Sequence, residues 1–326
     1  MKLICGPMAT ISHPAFRILV EQFGGCDEYY TEMINAGTVL TNGTFEHYYL
    51  DPAPVPEKLV WQLTGRTNEH MIEASKMLVE LPGIGIDLNM GCSAPDIYRF
   101  GAGIAWMMKP VNETEAMVRG VQRIIEKYNG EHPENLKRFS VKLRLGDDNF
   151  TDDQFYSFCD MLVNNGVQLL TLHPRTKKER LIRPARYEYC EYIAERYKDI
   201  PVYLNGNVKD KNSFDYAISK APSVKGVMIS RASVKEPWIF KNLKGHSPVE
   251  VDMKELALEY IRNIQIYQPE EFWKTRLQRF FTYYADNFKF SHYAQTQFVN
   301  SKNIDELKVK INEFFEKCPE ELKKIV

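Results

Sequence analysis

No run of about 18 consecutive apolar residues occurs in this chain, so no membrane-spanning helix is expected. It has no CxxC pair. Its six cysteines, Cys5, Cys26, Cys92, Cys159, Cys190 and Cys318, are scattered, which argues against a metal site and a disulfide framework alike. Repeats and low-complexity tracts are absent. Met1-Lys2-Leu3-Ile4-Cys5 enters an apolar run without the layout of a secretory signal, and a reducing, cytoplasmic setting is the expectation. The formal net charge is only −1, with 42 Lys+Arg against 43 Asp+Glu, so overall basicity does not mark a nucleic-acid binder. Charge is local instead. Lys177, Lys178, Arg180, Arg183 and Arg186 crowd one segment, and Lys274, Arg276 and Arg279 another. Solvated helix faces would account for both on charge alone.

What is present is an ordinary globular composition, 44% hydrophobic and 26% charged, over 326 residues. Eight short apolar segments read as strands near 3–8, 27–31, 58–63, 84–89, 139–144, 167–173, 201–205 and 224–230. Helical patterns fall between them, as at Glu69 to Glu80, Glu113 to Lys127 and Asp152 to Asn164. Strands alternating with helices predict a parallel sheet, and eight such units in about 245 residues predict a (β/α)8 TIM barrel. Residues 252–326 carry no strand signal. Leu256, Tyr260, Ile264 and then Arg276, Phe280, Tyr284 follow helical spacing. The expected organisation is a barrel over 1–245 and a small all-helical domain over 246–326.

The polar residues are distributed with a purpose. Met8, Glu32, Gln62, Asn89, Lys142, His173, Asn205 and Arg231 all fall at or just past the C-terminal end of a predicted strand, where a barrel gathers its chemistry at one mouth. Asn89-Met90-Gly91-Cys92 sets a thiol there, beside a carboxamide able to read a ring edge. Lys142, in Val141-Lys142-Leu143-Arg144, needs an anionic or electron-rich partner if buried. It could hold a Schiff base or stabilise negative charge at a flavin's pyrimidine edge. His173, in Thr171-Leu172-His173-Pro174-Arg175, is a candidate donor to the same ring or to a phosphate, and a satisfied structural histidine is the plain alternative. Asn205-Gly206-Asn207 and Ser230-Arg231 follow the last two strands, where barrels bind phosphate.

These residues carry a resemblance. Pro7-Met8-Ala9, Thr31-Glu32-Met33, Gln62-Leu63-Thr64-Gly65, Asp87-Leu88-Asn89-Met90-Gly91-Cys92, Gly101-Ala102-Gly103, Val141-Lys142-Leu143-Arg144, His173-Pro174-Arg175-Thr176, Asn205-Gly206 and Pro237-Trp238-Ile239-Phe240 stand in the order of the tRNA-dihydrouridine synthase family. The chain resembles that family over about residues 5–240. Ser93 follows the cysteine where the family usually has proline, Asn207 replaces a usual Asp, and Ser230 a usual Gly.

The resemblance implies FMN as cofactor and NADPH as its reductant. It also implies reduction of the uracil C5–C6 bond in RNA, most simply tRNA, with rRNA as a further substrate class. Hydride would pass from flavin N5 to C6, and Cys92 would give the proton to C5. It implies FMN contacts from Pro7, Met8, Ala9, Gln62, Lys142 and His173, and a phosphate cradle of Asn205, Gly206, Asn207, Ser230 and Arg231. Asn89 and Arg175 would hold the uracil. Lys177, Lys178, Arg180 and the 274–279 cluster are the candidate RNA phosphate contacts, and a monomer is expected. Three rivals stay open: an FMN barrel acting on a free pyrimidine, similar to dihydroorotate dehydrogenase, a Schiff-base aldolase using Lys142, and a non-catalytic RNA-binding module.

Overall fold

In the computed structural model, residues 1–179 and 182–326 are described. Nine parallel strands follow in chain order: β1 (Lys2–Cys5), β2 (Glu28–Tyr30), β3 (Ile34–Asn35), β4 (Leu59–Thr64), β5 (Gly85–Met90), β6 (Arg138–Leu143), β7 (Leu169–Leu172), β8 (Val202–Asn205) and β9 (Gly226–Ile229). Each of β4 to β8 pairs with the next, β9 pairs with β1, β1 with β2, and β2 returns to β4. Eight strands therefore close a barrel. The two-residue β3 is an extra rung on β4, pairing Ile34 with Leu63. The eight barrel strands lie in the eight apolar segments predicted from sequence. The helix Asp152–Asn164 has the predicted ends, and it opens on a Thr151–Gln154 capping box.

Period-two alternation sorts each strand into two layers. On β6, Phe139, Val141 and Leu143 join the buried apolar layer under the helices, so Arg138, Ser140 and Lys142 point into the barrel. A smaller interior cluster of Ile4, Tyr30, Val60, Leu169, Tyr203 and Met228 fills the lumen. Below it, at the N-terminal ends of the strands, the buried Glu28 carboxylate takes two hydrogen bonds from Arg138, at 2.9 and 2.6 Å, and one each from Lys2 and Tyr203. Burial opposes ionisation of Glu28, but Arg138 and Lys2 outweigh it and hold the carboxyl near 2. The lower end of the barrel is thus an ionic plug, and the upper end is left for chemistry.

The C-terminal region contains helices Met253–Tyr267, Glu270–Tyr284, Ser291–Val299 and Ile304–Lys317. The first packs along the helix Pro14–Glu21 of the barrel. Tyr260 stacks on Phe280 with centroids 3.7 Å apart, and Tyr284, Phe288, Phe298 and Phe314 extend the aromatic core. One expectation is corrected here. The region is not free of strands: β10 (Glu250–Asp252) pairs antiparallel with β11 (Lys323–Ile325). Three residues a side, edged by the Lys323–Glu250 ion pair, are too few to leave a periodic signature. Among the described residues no helix is long and apolar enough to cross a membrane.

Candidate active site

The upper mouth opens into a cavity of about 780 Å³. Its walls include Pro7, Lys142, His173, Asn205, Gly206, Asn207, Ser230 and Arg231, eight of the predicted site residues from five different strand ends. Lys142 points into it from β6 and makes no hydrogen bond or ion pair with the described residues. Burial, together with the Arg144 charge, lowers the Lys142 ammonium to about 8, against Asp87 and Cys92, which raise it. His173 is buried among Arg144, Lys142, Arg175 and Arg231, which with its burial hold it well below 6.5. Arg175 Nη1 lies 2.6 Å from His173 Nε2. A guanidinium can only donate, so Nε2 accepts and the neutral ring carries its proton on Nδ1.

The loop after β8 is built for close approach. Gly206 has φ +128°. A Cβ there would lie 3.0 Å from His173 Cδ2 and 3.2 Å from Arg175 Nη1. Tyr187 Oη donates to the Gly206 carbonyl at 2.7 Å, and Asn205 Nδ2 to the Met228 carbonyl at 2.8 Å. Asn207 has φ +58°, which Asn adopts more readily than most residues. Ser230, Arg231 and Ala232, the start of the helix Arg231–Lys235, complete that wall.

Beside the cavity a buried network fixes the strand ends. Gln62 Nε2 donates to Asp87 Oδ2 at 2.8 Å, Asn89 Nδ2 to Gln62 Oε1 at 2.9 Å, and Ser140 Oγ to Asp87 Oδ1 at 2.8 Å. Burial raises the Asp87 carboxyl to about 6, although Gln62 and Ser140 favour its ionised form. Asn89 Oδ1 accepts from the backbone N–H of both Gly91 and Cys92, at 3.2 and 2.9 Å. Arg144 Nε donates to the Gly91 carbonyl at 2.9 Å, and Ile104 N–H to the Cys92 carbonyl at 3.0 Å. Four hydrogen bonds, from Asn89, Arg144 and Ile104, thereby pin the turn that presents Cys92. Of the six cysteines, five are buried and Cys92 alone is half-buried.

The geometry redistributes several predicted roles. Gln62 and Asn89 are buried beside the cavity rather than on its wall, and Asn89 spends both ends of its carboxamide on Gln62 and the Cys92 turn. Arg175, predicted to grip the uracil, is fully buried behind His173, with Nε donating to the Arg183 carbonyl at 2.5 Å. Its Nη1 donates to the His173 ring, and its Nη2 has no partner among the described residues. Met8 and Ala9 stand beside Pro7 in the loop after β1, outside the cavity lining. Lys177 is paired with Asp147 at 2.9 Å, with Nζ 3.7 Å over the Tyr98 ring, and Lys178 faces Asp148 at 3.6 Å. Both charges are partly spent, although the Lys178 side chain is 83% exposed. Arg180 lies outside the described residues. Arg276 corrects the 274–279 prediction: it is 2% exposed and salt-bridged to Glu32 at 2.7 Å, so it reaches no phosphate. Sequence reasoning also missed the cavity wall contributed by the helical region, Tyr283 and Asp286. No motif marks them, since only the fold brings them there. Among the described residues no group of three His, Cys, Asp or Glu could hold a metal ion.

A family model described as "Dihydrouridine synthase (Dus)" matches residues 3–318. The chain belongs to the dihydrouridine synthase family. It is 28% identical to a protein of Aquifex aeolicus named "Probable tRNA-dihydrouridine synthase", over 96% of this chain and 95% of that one. It is 26% identical to the Bacillus subtilis protein named "Probable tRNA-dihydrouridine synthase 2", over 95% and 93%. A rat tRNA-dihydrouridine(47) synthase-like protein is 25% identical over 82% of this chain, which spans 39% of the rat protein's length. Among solved structures, the old yellow enzyme homologue of Zymomonas mobilis superposes with a TM-score of 0.50 at 10% identity, over 83% of this chain and 94% of that one. The barrel fold is shared.

Proposed function

We propose that this dihydrouridine synthase reduces the C5–C6 double bond of uridine in tRNA to 5,6-dihydrouridine, with FMN and NADPH. The observation that carries the reading is the convergence of Lys142, His173 and the Gly206 and Arg231 loops on one cavity, in a chain whose family match spans residues 3–318.

The cavity's residues fit FMN. Gly206, where a Cβ would crowd His173, leaves backbone open to a phosphate, and Arg231 can grip one bidentately. Lys142, in the cavity wall and without a partner among the described residues, would hold the electron-rich edge of the ring, and Pro7, with Met8 and Ala9 continuing its loop, would contact the cofactor. When bound and reduced by NADPH, the flavin supplies the hydride for C6.

The remaining chemistry belongs to the chain. Cys92 holds the proton for C5, on a turn preorganised by Asn89 and Arg144. Lys142 stabilises negative charge on the ring edge by preorganised electrostatics. Neutral His173, held as the Nδ1–H form by Arg175, donates one hydrogen bond without adding charge. Gln62, Asp87 and Asn89 position these groups. The barrel, residues 1–245, carries the chemistry, and the helical part, 246–326, the recognition of folded RNA. Lys178, Lys274 and Arg279 are the phosphate contacts. The protein acts as a cytoplasmic monomer, and tRNA is preferred to rRNA.

Nucleoside mass spectrometry tests this. Unmodified tRNA and rRNA are incubated with the purified protein, FMN and NADPH, in parallel with Cys92→Ala. Uridine should gain two hydrogens in tRNA, and the gain should collapse in the variant. No gain on either RNA by a flavin-loaded, NADPH-reducible protein would overturn the reading in favour of a free-pyrimidine reductase.

A further inference from the structure

The segment after Cys92 is an excursion whose ends meet. Gly103, with φ +61°, returns so close that a Cβ there would lie 3.1 Å from Cys92 Cβ. Between them runs the short helix Pro95–Arg99, closed by a hydrogen-bonded cap. Gly101, with φ +75°, donates to the Tyr98 carbonyl at 2.9 Å, and Ala102 to the Ile97 carbonyl at 3.1 Å. That pair of bonds is the Schellman arrangement, so Phe100, at the cap, rides on ordered backbone. The residue is 66% exposed, an unusual setting for a large aromatic held in place.

The excursion divides the surface beside Cys92 into two clefts. One, about 380 Å³, contains Asp147 and Asp148, which face Lys177 and Lys178. The other, about 310 Å³, is walled by Phe100, Ala102, Gly65 and Asn35, with exposed Arg66 and His70 at its rim. No carboxylate lines it, although Glu69 and Asp96 are near in sequence. An apolar slot with an aromatic face, a cation at the rim and no acid suits a nucleobase carried on a phosphate backbone. The cleft on the far side, with two carboxylates, does not.

We propose that the Phe100 cleft is a subsite for the nucleobase flanking the target uridine, which stacks on the Phe100 ring while Arg66 faces the adjoining phosphate. The proposal rests on the tRNA reading above. It gives the unstacked strand a replacement for the stacking that a flipped base forfeits, and it fixes the flanking nucleotide relative to Cys92 through the Gly103 contact.

The test is direct binding of an unmodified tRNA transcript, and of short single-stranded RNAs with an abasic nucleotide on either side of the target uridine, by wild type, Phe100→Ala and Phe100→Trp. Base–aromatic stacking predicts a loss of about 5- to 150-fold in affinity for Phe100→Ala and near-wild-type affinity for Phe100→Trp. One abasic position should weaken the wild type by a similar factor and leave Phe100→Ala unaffected. Equal RNA affinity of Phe100→Ala and wild type, equal abasic penalties in both, or no RNA binding at all would overturn the subsite. RNA binding that depends on Phe100 without dihydrouridine formation would leave the subsite standing and sink the functional reading instead. Because Phe100 is exposed, an unchanged melting temperature shows that the variants retain the fold.

Discussion

Two residues at the mouth have opposite relations to stability. Cys92 is presented by bonds to its backbone, not its sulfur, so its side chain can be removed without loosening the turn. General acid catalysis contributes about 10²- to 10⁴-fold, and Cys92→Ala should lose that factor in turnover while binding FMN and tRNA normally. Near-wild-type turnover by mass spectrometry would remove Cys92 from the proton step. Lys142, by contrast, destabilises the flavin-free fold. Its ammonium falls from 10.5 to about 8 on folding, so between those values the unfolded chain binds more protons and stability rises with pH. Below about 8 the full cost stands. Lys142→Met should therefore raise the flavin-free stability at neutral pH by about 2 kcal/mol, discounting for solvent in the cavity. It should also flatten the rise above pH 8 and weaken FMN binding. Denaturant melts across pH and a flavin titration read all three, and a wild-type stability that falls between pH 8 and 10 would contradict the assignment.

At the scale of elements, the strands were legible because each is a short apolar run bounded by a turn. The polar residue at each strand end was legible because alternation leaves few places for it. The loop after β8 is where pattern becomes chemistry: Asn-Gly alone reads as a turn, and only its packing against His173 and Arg175 shows that no side chain fits. Gly206→Ala forces a side chain into φ +128° with a Cβ 3.0 Å from His173. The strain costs about 1–3 kcal/mol, and moving His173 opens the cradle. The variant should melt lower and hold FMN several-fold more weakly in an equilibrium flavin titration. Unchanged values for both would show that the loop adapts and that Gly206 is only a turn residue. What the sequence concealed follows the same logic. Lys274, Arg276 and Arg279 read as one basic cluster, yet Arg276 belongs to the apolar stripe it begins, four residues before Phe280 and eight before Tyr284. Two residues apart on a helix do not share a face, which separates Lys274 from Arg276, and the buried stripe of Arg276, Phe280 and Tyr284 assigns Arg276 to the interior. Its partner Glu32 is 244 residues away, and nothing local links them.

That pair is one of the contacts that hold the helical region to the barrel. Arg276 and Glu32 join the helical region to the barrel mouth in a nearly dry setting. The guanidinium lies 5.0 Å from the Phe272 ring centroid and 5.6 Å from that of Tyr49. His13 stacks against Tyr260 nearby, both of its nitrogens without partners among the described residues. Burial raises the Glu32 carboxyl and the Arg276 charge opposes that rise, so each charge is tolerable only because of the other. Removing one partner of a buried pair typically costs about 3–5 kcal/mol, whereas replacing both can be close to neutral. Arg276→Met and Glu32→Gln should each destabilise by about that amount, and the double variant by less than either alone, in a double-mutant cycle of denaturant melts. Under the proposed function, in which the helices bind the RNA, the pair also sets where that RNA lies relative to Cys92. The double variant, if folded, should therefore raise KM for tRNA more than it lowers kcat, because Cys92, Lys142 and the cavity floor are untouched. Strictly additive destabilisation would reduce the pair to two independent contacts. An unaltered KM would mean that the barrel alone positions the RNA.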